Sequence, residues 1–243
     1  MEPLLPMSFK FAIWDQGERD AKTTSSAYYT TEFPKMVSLW RSNFLTPALP
    51  FFYVELCTEY GAEEPKESDF WKAQRSVLQL PATGFVTTTD IQRALHPPDK
   101  QDVAVRLMLE VDRIVYGQNV VSRGPQLVAA KAVTTGSIKL TFSNASLVTR
   151  SGIFVGDPTA CMASPTNNTA IMQFVEPHSA TGMVAINFSI VGSEVTIQCD
   201  PAGGPVKINS DASSCFLYSA ASSLPATPIE VNCTHPELSV LSI

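Results

Sequence analysis

The sequence predicts an α/β fold built on a mostly parallel sheet with helices, followed by a small all-β C-terminal domain. Three observations carry that expectation. Strand-like and helix-like segments alternate between residues 9 and 118, short alternating runs replace them after Gly117, and the composition suits a chain with a real core. Of the 243 residues, 44% are hydrophobic and only 16% charged, which is enough apolar surface to offset the entropy of ordering the chain. A chain of this length makes one large domain or two small ones.

The first half supplies its elements in turn. Residues 9–14 are a short apolar run that reads as a strand, ending at Asp15-Gln16-Gly17-Glu18. In 30–44, Phe33, Val37, Trp40 and Phe44 fall close to helical spacing and make one face apolar; Pro34 suits the first helical turn. Residues 50–56 give the next strand, with Pro50 at its start. Residues 70–80 are helical, with Trp71, Gln74 and Leu78 on related faces. Residues 84–89 are β-rich and stop at Asp90. The clearest helix is 102–116, where Val103, Leu107, Glu110 or Val111, and Ile114 recur before Gly117 ends it. Strands that alternate with helices argue for a mostly parallel sheet covered by helices.

The second half has a different periodicity. Residues 128–130, 137–142, 185–190 and 194–199 are short and alternating, with Gly, Pro, Asn and Ser turns between them. They predict a small antiparallel sandwich or barrel. The boundary is expected between Gln118 and Pro125, giving domains 1–120 and 121–243, the latter β-sandwich-like.

A formal charge of -6 with 17 basic residues provides no basic field to gather phosphates, so nucleic acid is not an expected partner. Apolar stretches are interrupted before they reach bilayer length, and no membrane span is expected. Met1-Glu2-Pro3-Leu4-Leu5-Pro6 lacks the basic start and continuous apolar segment of a secretory signal. Other features point to a lumenal or secreted parent protein. Cys161, Cys199, Cys215 and Cys233 would fit two disulfides, with three connectivities open. Asn144, Asn167, Asn187 and Asn232 each open an N-glycosylation acceptor pattern.

Two clusters could carry chemistry. His96 lies between a predicted strand and the strong helix, in the loop region where open α/β sheets place their sites. Beside Pro97 and Pro98 it could act as general base for a serine, and it reads equally as a loop histidine. In Trp14-Asp15-Gln16-Gly17-Glu18, Gly17 permits a sharp turn and the Gln16 amide could point a donor at a developing oxyanion. Glu18 could anchor the loop or orient a partner. His178 and His235 lie beside prolines in the β half and are not expected to be catalytic. No zinc-ligand spacing and no phosphate-cradling Gly-rich loop is visible.

Taken together, these clusters resemble the sialate O-acetylesterase family of SGNH-type carbohydrate esterases. The resemblance rests on Trp14-Asp15-Gln16-Gly17-Glu18, the helix around Phe33-Pro34 to Trp40-Arg41, and the strand Pro50-Phe51-Phe52-Tyr53-Val54-Glu55-Leu56. It continues through Trp71-Lys72-Ala73-Gln74-Arg75, Asp90-Ile91, His96-Pro97, Lys100, Arg106-Leu107 and Tyr116-Gly117. The β-rich remainder is similar to the C-terminal β domain of the animal-type members. The resemblance implies a partial SGNH-hydrolase-like sheet and hydrolysis of O-acetyl groups, chiefly the 9-O-acetyl group, on sialic acids. It implies His96 as general base, Gln16 near the oxyanion, Asp90 or Asp99 orienting or charge-balancing His96, and Trp14 and Glu18 at the substrate. It also implies a lysosomal or secreted full-length parent and a hydrolysis that needs no metal or organic cofactor. The chain departs from the family at three points. No Gly-Asp-Ser nucleophile segment precedes Trp14, Asp15 stands where a tyrosine is expected, and Ala94 stands two residues before His96, where an aspartate is frequent. The chain is therefore expected to correspond to the C-terminal part of such an esterase, with glycan binding without turnover as the alternative.

Overall fold

The strand expected near the start forms as β1 (Ala12–Trp14), and it sets the direction of a three-stranded sheet. With β2 (Phe51–Val54) and β3 (Thr83–Val86) it pairs in the order β1-β2-β3, every pair parallel. The computed structural model describes residues 7–56, 70–91, 99–143, 146–151, 169–175, 183–198, 206–208, 215–233 and 236. The chain divides into two compact units, Met1–Thr88 with Arg93–Ser122, and Thr89–Gln92 with Arg123–Ser242.

In the first unit every residue of β2 and β3 is buried, as a parallel sheet covered on both faces requires. The pleat sends alternate side chains to opposite faces. Phe51 and Tyr53 join a core with Phe33, Val37, Phe70, Val77 and Phe85. Phe52 points the other way, toward α4 (Lys100–Ile114). A β-carbon on Gly84 would overlap the Glu110 carboxylate and stand 2.9 Å from Phe52 Cδ1, so α4 seats closely because position 84 has no side chain. The Glu110 carboxylate accepts from Ser122 Oγ at 2.7 Å and from Arg113 Nη2 at 2.8 Å. The residues that follow the helix are thereby tied back to it.

After the short α1 (Glu18–Thr23), helix α2 (Ser26–Asn43) starts earlier than its periodicity suggests. Ser25 caps it, its Oγ accepting from the Tyr28 N–H at 3.2 Å. Pro34 consequently lies inside the helix and not in its first turn. The buried stripe Tyr29, Phe33, Val37 and Arg41 explains this. Four contacts on one face outweigh the one backbone donor that proline lacks. The segment expected to be a single helix at 70–80 is α3 (Phe70–Gln74) followed by a 3-10 turn, Arg75–Gln79. The change of pitch falls where Gln74 and Arg75 turn their side chains onto the end of β2.

Arg41 closes the α2 stripe. Its Nε and Nη2 donate to Leu49 O at 3.1 and 2.9 Å, and Nη2 also donates to Pro81 O at 2.6 Å. Burial pushes the guanidinium below its ordinary range. Those two carbonyls belong to the loops entering β2 and β3. Arg41→Met should lower stability by roughly 3 kcal/mol, since it removes charge-assisted bonds and strands two carbonyls. Urea unfolding measures this, and an unchanged midpoint would contradict it.

The second unit is antiparallel. A five-stranded sheet runs in the order β4 (Leu127–Thr134), β5 (Ser137–Phe142), β9 (Glu194–Gln198), β8 (Met183–Val191), β7 (Thr169–Val175). Two pairs accompany it, β6 (Leu147–Ser151) with β11 (Cys215–Ser219) and β10 (Val206–Ile208) with β12 (Ile229–Val231). Ile138, Leu140, Phe142, Val195 and Ile197 of the large sheet share one core with Leu147, Val206, Ile208, Leu217 and Val231 of the pairs. Cys233 is buried in that core and disulfide-bonded. No helix among the described residues is long and apolar enough to cross a membrane.

Candidate active site

All three parallel strands end on the same side, and open α/β sheets bind their ligands outside the carboxyl ends of the strands. Here those ends are Trp14-Asp15-Gln16, Val54-Glu55-Leu56 and Val86-Thr87-Thr88. Backbone groups at strand ends lose their sheet partners and need others. Three side chains supply them. Fully buried Gln74 accepts from the Leu56 N–H at 2.8 Å and donates to Val54 O at 3.3 Å and Gln16 O at 3.4 Å. Thr88 Oγ1 donates to Glu55 O at 3.3 Å, and Arg106 Nη1 to Thr87 O at 2.8 Å.

Around β1 the polar groups form a chain. Trp14 Nε1 donates to Tyr29 Oη at 3.4 Å, and Tyr29 Oη donates to Gln16 Oε1 at 3.3 Å. Gln16 Nε2 donates to Asp20 Oδ2 at 2.6 Å. The Gln16 amide is thus fixed at both ends, and its second N–H meets no acceptor among the described residues. The Trp14 ring is half-buried, edge-on to Trp40 at 5.7 Å, so it supports the core as well as flanking the site. Glu18 stands in the first turn of α1, just after Gly17. The Asp15 carboxylate is 3.9 Å from Lys100 Nζ, which brings the start of α4 to the end of β1.

The histidine loop is only partly placed. His96 lies outside the described residues. Asp99 caps α4, its carboxylate accepting from the Asp102 N–H at 3.0 Å. Asp90 is buried in the second unit, where it accepts from Tyr218 Oη at 2.7 Å. The acceptor residues Asn144 and Asn167 also lie outside the described residues. Asn187 sits in β8 and Asn232 is exposed.

Two parts of this end were not foreseen. By sequence Gln74 is a member of a helix face and of the Trp71–Arg75 resemblance segment, with no site role of its own. Glu55, wholly buried, pairs bidentately with Arg75 through Nε at 2.6 Å and Nη2 at 3.2 Å. One signal was present, a carboxylate in an otherwise apolar strand run, because a buried charge needs a partner.

Burial pushes the Tyr29 phenol up to about 12, with the Asp20 and Glu18 charges adding to the shift while the Trp14 hydrogen bond opposes it. The unfolded chain releases this proton near pH 10 and the folded chain holds it to about 12, so stability must fall as pH rises between the two. The share due to Tyr29 is about 2–3 kcal/mol by pH 12. Urea titrations of wild type and Tyr29→Phe should show the steeper alkaline loss in wild type, and equal slopes would contradict it.

The chain thus combines a helix-flanked parallel sheet, with polar side chains at its carboxyl ends, and a separate antiparallel region. Residues 6–106 match the family model for carbohydrate esterase, sialic acid-specific acetylesterase. Sialate O-acetylesterase of Mus musculus is 29% identical over 149 residues, covering 51% of this chain and 27% of that protein. Sialate O-acetylesterase of Homo sapiens is 26% identical over 258 residues, covering 94% of this chain and 47% of that protein. A carbohydrate acetylesterase from Xanthomonas citri has a similar fold, with TM-score 0.73 and 24% identity over 95% of this chain and 52% of that one. The chain is thus related at family level to the sialic acid-specific carbohydrate esterases through a partial domain match, and it spans less than half the length of the curated relatives it matches.

Proposed function

We propose that this chain carries the histidine and oxyanion side of a sialate O-acetylesterase, which removes O-acetyl groups, chiefly 9-O-acetyl, from sialic acids by serine–histidine hydrolysis. The observation that carries the reading is the Gln16 amide, held by Asp20 and Tyr29 at the carboxyl end of β1 within the region that matches the family model. A preorganised donor at that place suits the oxyanion of an ester's tetrahedral intermediate. His96, three residues before the Asp99 cap, takes the serine proton and returns it to the departing sugar oxygen. Asp99, in the same unit, charge-balances it. Trp14 and Glu18 flank the sugar.

The serine belongs to a Gly-Asp-Ser segment that does not occur in these 243 residues. That absence, with Ala94 in place of an aspartate, favours a second reading for the chain by itself, glycan binding without turnover. The disulfide at Cys233 and the exposed acceptor Asn232 support a lumenal or secreted parent.

Acetate release tests the substrate class. In a form carrying the serine segment, 9-O-acetylated sialic acid should be hydrolysed faster than an acetylated neutral sugar. Equal or reversed preference would overturn the assignment.

A further inference from the structure

We infer that Arg75 is the anchor for the carboxylate of the sugar, a residue role that deepens the esterase reading and rests on it. A guanidinium has five N–H donors arranged as forks. Glu55 takes one fork, the Nε–Nη2 edge, with both of its oxygens. The Nη1–Nη2 edge remains, with three N–H groups that meet no acceptor among the described residues. This edge is a second fork of the shape that binds a carboxylate bidentately.

The group is also held rigidly. Its side chain is only 9% exposed, and Cζ stands 4.2 Å from the Trp71 ring centroid and 5.4 Å from that of Phe85. Stacked rings on its faces fix the direction in which the remaining fork presents its donors. Glu55 balances the Arg75 charge, so the second fork offers directed hydrogen bonds to a carboxylate without a free positive charge. Arg75 belongs to the end of the sheet that holds Gln16, because its chain neighbour Gln74 bonds Gln16 O and Glu55 terminates β2. Every sialic acid has a carboxylate whichever hydroxyl carries the acetyl, so this anchor selects the sugar and leaves the acetyl position to other contacts.

The test is binding of the methyl glycoside of N-acetylneuraminic acid and of its methyl ester to the 243-residue chain, followed by NMR titration. The acid should bind at least tenfold more tightly than the ester. In the charge-balanced double variant Glu55→Gln with Arg75→Gln, the two ligands should bind equally. Arg75→Lys, which keeps the charge and loses the fork, should keep only part of the preference and guards against a double variant that fails to fold. Equal binding of acid and ester to wild type, binding of neither, or an undiminished preference in both variants would overturn the inference. Its failure is separable from that of the esterase reading. Acid preference through Arg75 without acetate release from the serine-bearing form removes the reading alone, and acetate release with equal affinities removes the inference alone.

Discussion

Gly17→Ala should lose most of the stability of the first unit. Gly17 sits at φ 144°, a conformation that residues with side chains rarely adopt, and it is buried at the cap of α1. An added β-carbon would stand 2.7 Å from Leu56 Cδ1 and 3.0 Å from Phe70 Cε1. Leu56 and Phe70 both belong to the core shared by the sheet and α2, so neither yields without disturbing its neighbours. Backbone strain and overpacking together should amount to roughly 3–5 kcal/mol. Gln16 precedes this glycine and Glu18 follows it, so the donor chain from Trp14 to Asp20 should be displaced as well. Urea unfolding followed by circular dichroism measures the first effect and Trp14 fluorescence the second. A loss under about 1 kcal/mol would mean that this turn relaxes freely, against its burial.

His96→Ala should have the larger effect on chemistry and little on folding. In a form of the protein that carries the serine, the histidine is assigned both proton transfers of the reaction. Removing a general base of this kind lowers turnover by roughly a thousandfold. The melting temperature should stay near wild type. The comparison is kcat for 9-O-acetylated sialic acid in the two proteins, and unchanged turnover would remove His96 from the mechanism.

The parts of this protein legible in its sequence are those set by local pattern. β2 is an apolar run of strand length, and α4 repeats Val103, Leu107 and Val111 on one face. The turn after β1 was legible because Gly17 marks it. Patterns of this kind failed where packing decided instead. Pro34 suggested a helix start, yet Tyr29, one turn before it, is buried and draws the helix back to Ser25. Strands β10 and β12 have three residues each, too few to show alternation. Contacts within each unit link distant residues. Gln74 reaches Gln16 across 58 positions and Tyr218 reaches Asp90 across 128. No periodicity encodes such pairs, because they exist only once the chain has folded. Glu55 and Glu110 are carboxylates in apolar patterns, and such a setting demands a partner.

The most direct test of the account is acetate release from 9-O-acetylated sialic acid, measured side by side for the folded 243-residue chain and for a form that carries a Gly-Asp-Ser segment. The account predicts release by the second and none by the first. Release at comparable rates by both would contradict the placement of the nucleophile, and release by neither would contradict the esterase assignment itself.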